Sequence, residues 1–201
     1  MNTVIHPRTL DCAGAESVFL AGDAGPIWRV TEGVVRLDRD QGPLRQPVQI
    51  AMPGDLIGTE TLCDQHYRFN ATALTACRLE AVHCADRVAR EQLLQQALLQ
   101  QQNRAQDMAA LRTGSVSQRI THLLHLLGLE WAQPGAQRNA EAIRSALPTL
   151  REIAQVIDAK TETVCRVLGQ LLPPRRQASA AGRHRHSAQA AQAQGLQLLS
   201  V

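Results

Sequence analysis

TLREIAQVIDAKTETVCRVLGQLL, residues Thr149 to Leu172, decides how the rest of the chain is read, because it divides into two short helices across a tight turn. That is the form of a helix-turn-helix. Thr149 and Glu152 have the spacing of a capping box, which satisfies orphan backbone donors at a helix start, so the first helix begins after Pro148. Ile153, Ala154 and Ile157 give it a buried stripe, with Ala154 small enough for a close helix crossing, and Asp158 falls at the turn. In the second helix Val164, Val167, Leu168 and Leu171 are spaced i, i+3, i+4, i+7, as are Glu162, Cys165, Arg166 and Gly169. The two sets lie about 200° apart at the helical pitch. One face packs and the other is free to read a partner. A carboxylate at a helix N-terminus in the DNA major groove can accept from cytosine N4, and an arginine one turn later can fork onto guanine O6 and N7. Glu162 and Arg166 have that chemistry; a solvated i,i+4 surface pair is the other reading of the same residues.

The run ETVCRVL, residues 162–168, resembles the ETxxRxL recognition-helix signature of the cyclic-AMP-receptor/FNR (Crp/Fnr) family of bacterial transcription regulators. The resemblance is nearest to the FNR-like branch, which has serine at the place of Cys165 and reads a TTGAT-type half-site. It continues upstream in Gly22-Asp23, the WRVTEGVVRL run and Pro53-Gly54-Asp55-Leu56-Ile57-Gly58, which are similar to that family's GDxxxxYxVxxGxVRL and PGDxxG elements in the same order. It covers roughly residues 17 to 172. Asp158 stands where the family commonly has glycine, a mild departure for a residue that tolerates left-handed backbone.

Charge agrees with a polyanion-binding C-terminal part. Residues 1–84 carry seven basic and ten acidic side chains, whereas residues 116–201 carry ten basic and five acidic, within an overall charge of +3. There is no signal-like leader and no long apolar run, so a cytoplasmic chain without a membrane partner is expected. Five cysteines at irregular spacing fit reduced thiols better than a disulfide framework. No nucleophile, base and orienter group occurs at usable spacing, so an enzyme is not expected.

From Ser17 to about His83 the chain reads as short strands broken by glycine, with turns at Gly22-Asp23 and a hairpin at Gly33. Tyr67, Phe69, Ala71 and Ala73 alternate with Arg68, Asn70, Thr72 and Leu74. A β-sandwich or jelly roll is the expectation. Residues 85–112 contain no Gly or Pro, and Thr113-Gly114 ends the run; within it Leu94, Leu98, Gln101, Ala105 and Met108 form a coiled-coil-like seam. The resemblance implies a dimer interface there; a helix packed on its own sensor domain is the alternative. Ser115 or Ser117 caps the next helix, with Ile120, Leu123, Leu124 and Leu127 as its core stripe and His122 and His125 facing solvent.

The expected architecture is α+β: residues 1–84 a cyclic-nucleotide-binding-like β-roll sensor domain, 85–112 a dimerisation helix, and 113–201 a winged helix-turn-helix domain. The wing should be poorly formed, since the chain after Pro173-Pro174 has low complexity and poor β propensity. The resemblance implies a homodimeric, sequence-specific regulator on a palindromic double-stranded operator, with RNA polymerase as a further candidate partner. Glu162, Cys165 and Arg166 would read bases; Thr149, Lys160, Thr161 and the tail residues Arg175, Arg176, Arg183 and Arg185 would hold the backbone. Cyclic-nucleotide binding is not expected, because the chain departs from the resembled family's cyclic-AMP-binding members, which show GE and later RS or RT: here Thr59 separates Glu60 from Gly58 and bulky Phe69 follows Arg68. No cofactor is predicted. The alternative is a regulator that senses redox state or a metal through cysteine, with an iron-sulfur cluster on Cys12, Cys63, Cys77 and Cys84 or a haem near His66 and His83. Burial of those thiols as small core residues is the preferred expectation.

Overall fold

The computed structural model of the chain describes residues 8–41, 44–129 and 143–172. Eight strands come first: β1 (Thr9–Cys12), β2 (Ser17–Phe19), β3 (Ile27–Glu32), β4 (Val35–Gln41), β5 (Leu44–Ala51), β6 (Leu56–Ile57), β7 (Asn70–Ala73) and β8 (Cys77–Val82). They form two four-stranded antiparallel sheets, ordered β1-β8-β3-β6 and β2-β7-β4-β5. Helices α1 (Arg87–Ala110), α2 (Val116–Leu126), α3 (Leu150–Val156) and α4 (Thr161–Leu171) come after them. The tail arginines and the expected wing lie outside the described residues, as does most of the connector around Trp131.

The β-rich start is as expected, but its connections are not hairpins at the glycines. β2 pairs with β7 while β3 pairs with β6 and β8, so the segment with Gly22-Asp23 crosses from one sheet to the other. Gly33 likewise carries the chain from β3 into β4 of the opposite sheet. Its φ of +75° and the 2.1 Å that would separate a Cβ from the Ala76 carbonyl oxygen leave room for glycine alone. The glycine signal marks the turn; it does not say which strands the turn joins.

Between the sheets Trp28, Val30, Val35, Leu37, Ala71, Ala73 and Leu79 make the first core. Phe19 stacks on Tyr67 at 3.8 Å, and the Tyr67 hydroxyl donates to the Pro26 carbonyl at 2.6 Å. The alternation read in β7 places Ala71 and Ala73 inward, yet Asn70 and Thr72 on its other face are buried too. They pair in register with Asp38 and Arg36 of β4, and Arg36 donates to Gln155 of α3 at 3.2 Å. A polar strand face is therefore covered by the helical part, which alternation alone does not reveal. A second core runs from Val34, Ile50 and Leu74 through Met108 and Leu111 into Ile120, Leu123 and Leu124, and on to Ile153, Ile157, Val164 and Leu168.

Candidate nucleic-acid interface

The helix pair is assembled by its caps and by one arginine. Thr149 Oγ1 accepts from the Glu152 amide at 3.3 Å, and Glu152 Oε2 accepts from the Thr149 amide at 2.9 Å, the reciprocal pair expected from sequence. Ser115, of the two serines considered, makes the same motif with Gln118 at the start of α2. Asp158 occupies the turn at φ +50°, where its short side chain tolerates left-handed backbone. Arg119 of α2 reaches this turn and donates from Nη1 to the Ile157 carbonyl at 2.7 Å and the Asp158 carbonyl at 3.0 Å. Those carbonyls close α3 and lack partners along the helix. Arg119 was missed from sequence because its partners lie 38 and 39 positions away.

On α4, Val164 and Leu168 are buried and Val167 and Leu171 half-buried, whereas Glu162, Cys165, Arg166 and Gly169 are all exposed. The two faces separate as their spacing requires. Lys160 and Thr161 are exposed at the N-terminus of α4, which has no side-chain cap, so its first amides point outward unpaired by a cap. Thr149 is exposed as well, but its hydroxyl is already engaged with Glu152 Oε2 at 2.7 Å. The exposed Gln170 extends the same open surface and was not singled out from sequence.

Helix α1 lies against the sheets through Leu93, Gln100 and Met108. Leu94, Leu98, Gln101 and Ala105 of the expected seam are exposed, with Leu98 at 62%. Met108 departs from them: it is 7% exposed and packed in the second core within the chain. The seam phase drifts by about 40° over two heptads, which brings Met108 towards the inward stripe. Gln100 bonds both ways to Leu56 of β6, accepting from its amide at 2.7 Å and donating to its carbonyl at 2.8 Å. Beside it is a cavity of about 60 Å³ with Phe19, Leu37, Phe69 and Ala97 among its walls and Glu60 at its edge. No arginine or lysine lines it, and Arg68 is exposed, its amide donating to Glu60 Oε1 at 3.3 Å.

The cysteines do not converge as a cluster would require. Cys12 and Cys77 are buried, but Cys63, Cys84 and Cys165 are exposed, so the expectation of buried thiols fails for Cys63 and Cys84. His66 and His83 are exposed. Among the described residues no group of three or more His, Cys, Asp or Glu side chains is placed to hold a metal ion, so a four-thiolate cluster does not fit this arrangement. His122 is half-buried, not free in solvent, with Nε2 at 3.4 Å from Asp107 Oδ1 of α1. Among the described residues no helix is long and apolar enough to cross a membrane.

No protein-family model matches the chain, and no curated protein does. Solved structures do. TTHB099, a CRP-family transcriptional regulator from Thermus thermophilus, superposes with a TM-score of 0.61 at 26% identity over 81% of this chain and 83% of that one. CLP, described as a c-di-GMP-responsive global regulator of Xanthomonas campestris, gives 0.56 at 19% identity over 83% and 86%. TTHA1359, a CRP/FNR-family regulator also from Thermus thermophilus, gives 0.53 at 23% identity over 82% and 85%. The chain has the fold of Crp/Fnr-family transcription regulators.

Proposed function

We propose that the chain is a dimeric, sequence-specific DNA-binding transcription regulator of the Crp/Fnr type. The observation that carries this reading is the open face of α4, where Glu162, Cys165 and Arg166 stand exposed opposite the packed Val164 and Leu168, while capping boxes start the neighbouring α2 and α3 and Arg119 ties α2 to the turn before α4. Glu162 and Arg166 read base edges of a TTGAT-like half-site, with Cys165 beside them. Thr149, Lys160, Thr161 and the uncapped start of α4 hold phosphates, which a positive helix terminus favours. Two copies meet along Leu94, Leu98, Gln101 and Ala105 of α1, and their recognition helices enter successive major grooves about 34 Å apart on a palindromic operator. RNA polymerase is the partner through which such a regulator acts on transcription.

The β-roll supplies the control. An effector beside Gln100 and Ala97 acts directly on the helix that carries the dimer seam. A cavity of about 60 Å³ without a cationic wall is far below the several hundred Å³ of a nucleotide-sized site, so this cavity does not support a cyclic nucleotide as the effector.

Arg166→Ala tests the reading. Titrated against a TTGAT-containing palindrome and its single-base variants, it is expected to cost about 1 to 3 kcal/mol and to relax preference at one guanine. An equal loss on every sequence would remove Arg166 from base reading and leave it a phosphate contact.

A further inference from the structure

β1 and β8 pair antiparallel with Cys12 directly opposite Cys77. Directly opposed residues in such a pair have Cα atoms about 4.5 to 5.5 Å apart, inside the span of about 4.4 to 6.8 Å that a disulfide bridges. Both side chains are buried, at 8% and 5% exposure, and both are free thiols that interact with each other. An open groove of about 420 Å³ reaches them, walled by Asp11, Glu32 and Arg78. Arg78 spans its mouth, 2.7 Å from Asp11 and 3.5 Å from Glu32. β1 is an edge strand of four residues paired only with β8, so the chain can yield slightly as sulfurs close.

From this juxtaposition we infer that Cys12 and Cys77 are a reversible cross-strand disulfide site, formed by exchange with a low-molecular-weight disulfide that enters the groove. Cys12 loses its proton and attacks one sulfur of the reagent, whose other sulfur leaves as a thiol. Cys77 then gives up its proton, attacks Cys12 Sγ, and expels the second reagent thiol. One reagent disulfide is reduced to two thiols while the protein loses two hydrogens and gains one S–S bond. Burial raises both thiols, Cys77 up to about 12, so the exchange is slow at neutral pH, and Cys12 attacks first as the thiol on the edge strand.

The bond acts at a turn that touches the helical part. A Cβ on Gly33 would sit 2.8 Å from the Cys77 Cα, so Gly33 rests directly on this residue. The next residue, Val34, accepts from the Leu74 amide at 2.8 Å and donates to Thr75 Oγ1 at 3.0 Å. Val34 and Leu74 pack in the core shared with α2, α3 and α4.

The full chain is incubated with oxidised glutathione, denatured, alkylated, digested without reduction and mapped by mass spectrometry. The expected product is a peptide linking residues 12 and 77, lighter by two hydrogens than its reduced parts, formed as both free thiols disappear and reversed by reduced glutathione. A thermal midpoint raised by several degrees accompanies it. Recovery of Cys12 and Cys77 in full as alkylated thiols, while Cys63, Cys84 and Cys165 carry glutathione, would overturn the site. Cys12→Ser must abolish the linked peptide. A variant with Cys63, Cys84 and Cys165 all changed to Ser keeps the pair intact and must still form it.

Discussion

Arg119 and Asp55 show how single polar groups tie distant parts of the chain together. Arg119 satisfies the carbonyls of Ile157 and Asp158 at the end of α3. Arg119→Met keeps the stem packed and leaves those carbonyls unpaired, with an expected cost of about 1 to 3 kcal/mol in urea unfolding. Asp55 accepts from the Met52 amide at 2.8 Å and pairs with Arg104 at 2.9 Å, yet burial pushes its carboxyl above the ordinary 3.8. A carboxyl raised in the folded state contributes stability that is complete below 3.8 and is lost as pH rises through the folded value. The stability of wild type relative to Asp55→Asn should therefore increase as pH falls from neutral towards 3.8. Chemical unfolding across that range checks the sign; a shrinking difference would mean that Arg104, not burial, governs the group. The Thr149–Glu152 cap was legible because both partners lie within one turn. Arg119 and Asp55 were not given these roles because they act across the fold, where sequence separation hides contact.

At the scale of elements, α1 carries two apolar stripes, and period alone does not say which one belongs to its own chain. Leu93, Gln100 and Met108 face inward, while Leu94 and Leu98 stand outward about a quarter turn or more away. The residues that the seam spacing selects are thus mostly the open stripe, with Met108 the one that has rotated inward. Leu98→Glu places a charge at the centre of the open stripe, on a residue 62% exposed in the single chain. It should leave thermal stability of the isolated chain nearly unchanged and shift the protein to monomer, with at least a tenfold loss of affinity for the palindrome. Sedimentation and DNA titration on one preparation check both. Unchanged dimerisation would move the interface away from α1. The strands teach a similar lesson: β formers and glycines marked where strands and turns fall, but Gly33 joins two sheets, and that arises from packing beyond any local signal.

Across the whole molecule the sheets and helices α2, α3 and α4 share one core. Val34, Ile50 and Leu74 of the sheet region pack in the same cluster as Leu123, Ile153 and Val164. Polar links run beside it: Arg36, paired with Asp38 at 2.9 Å, donates to Gln155, and Arg104 joins Asp55 to Asp107, which faces His122 of α2. Packed side chains and ion pairs thus run without a break from the sheets to α4, the kind of contiguous contact that coupling requires. It also predicts that the parts unfold together. Leu123 is 1% exposed in the shared core, so Leu123→Ala should cost about 2 to 5 kcal/mol. The informative readout is Trp28, buried between the sheets in the other core. With Trp131→Phe removing the second of the two tryptophans, Trp28 fluorescence reports the sheets and far-UV circular dichroism reports the helices. The two urea transitions should coincide, and Leu123→Ala should move both to lower urea by the same amount. If the Trp28 transition stays in place while the helical one moves, the sheets hold their structure without α2, α3 and α4. Coupling would then have to run through α1 and its Gln100 bonds to Leu56 alone.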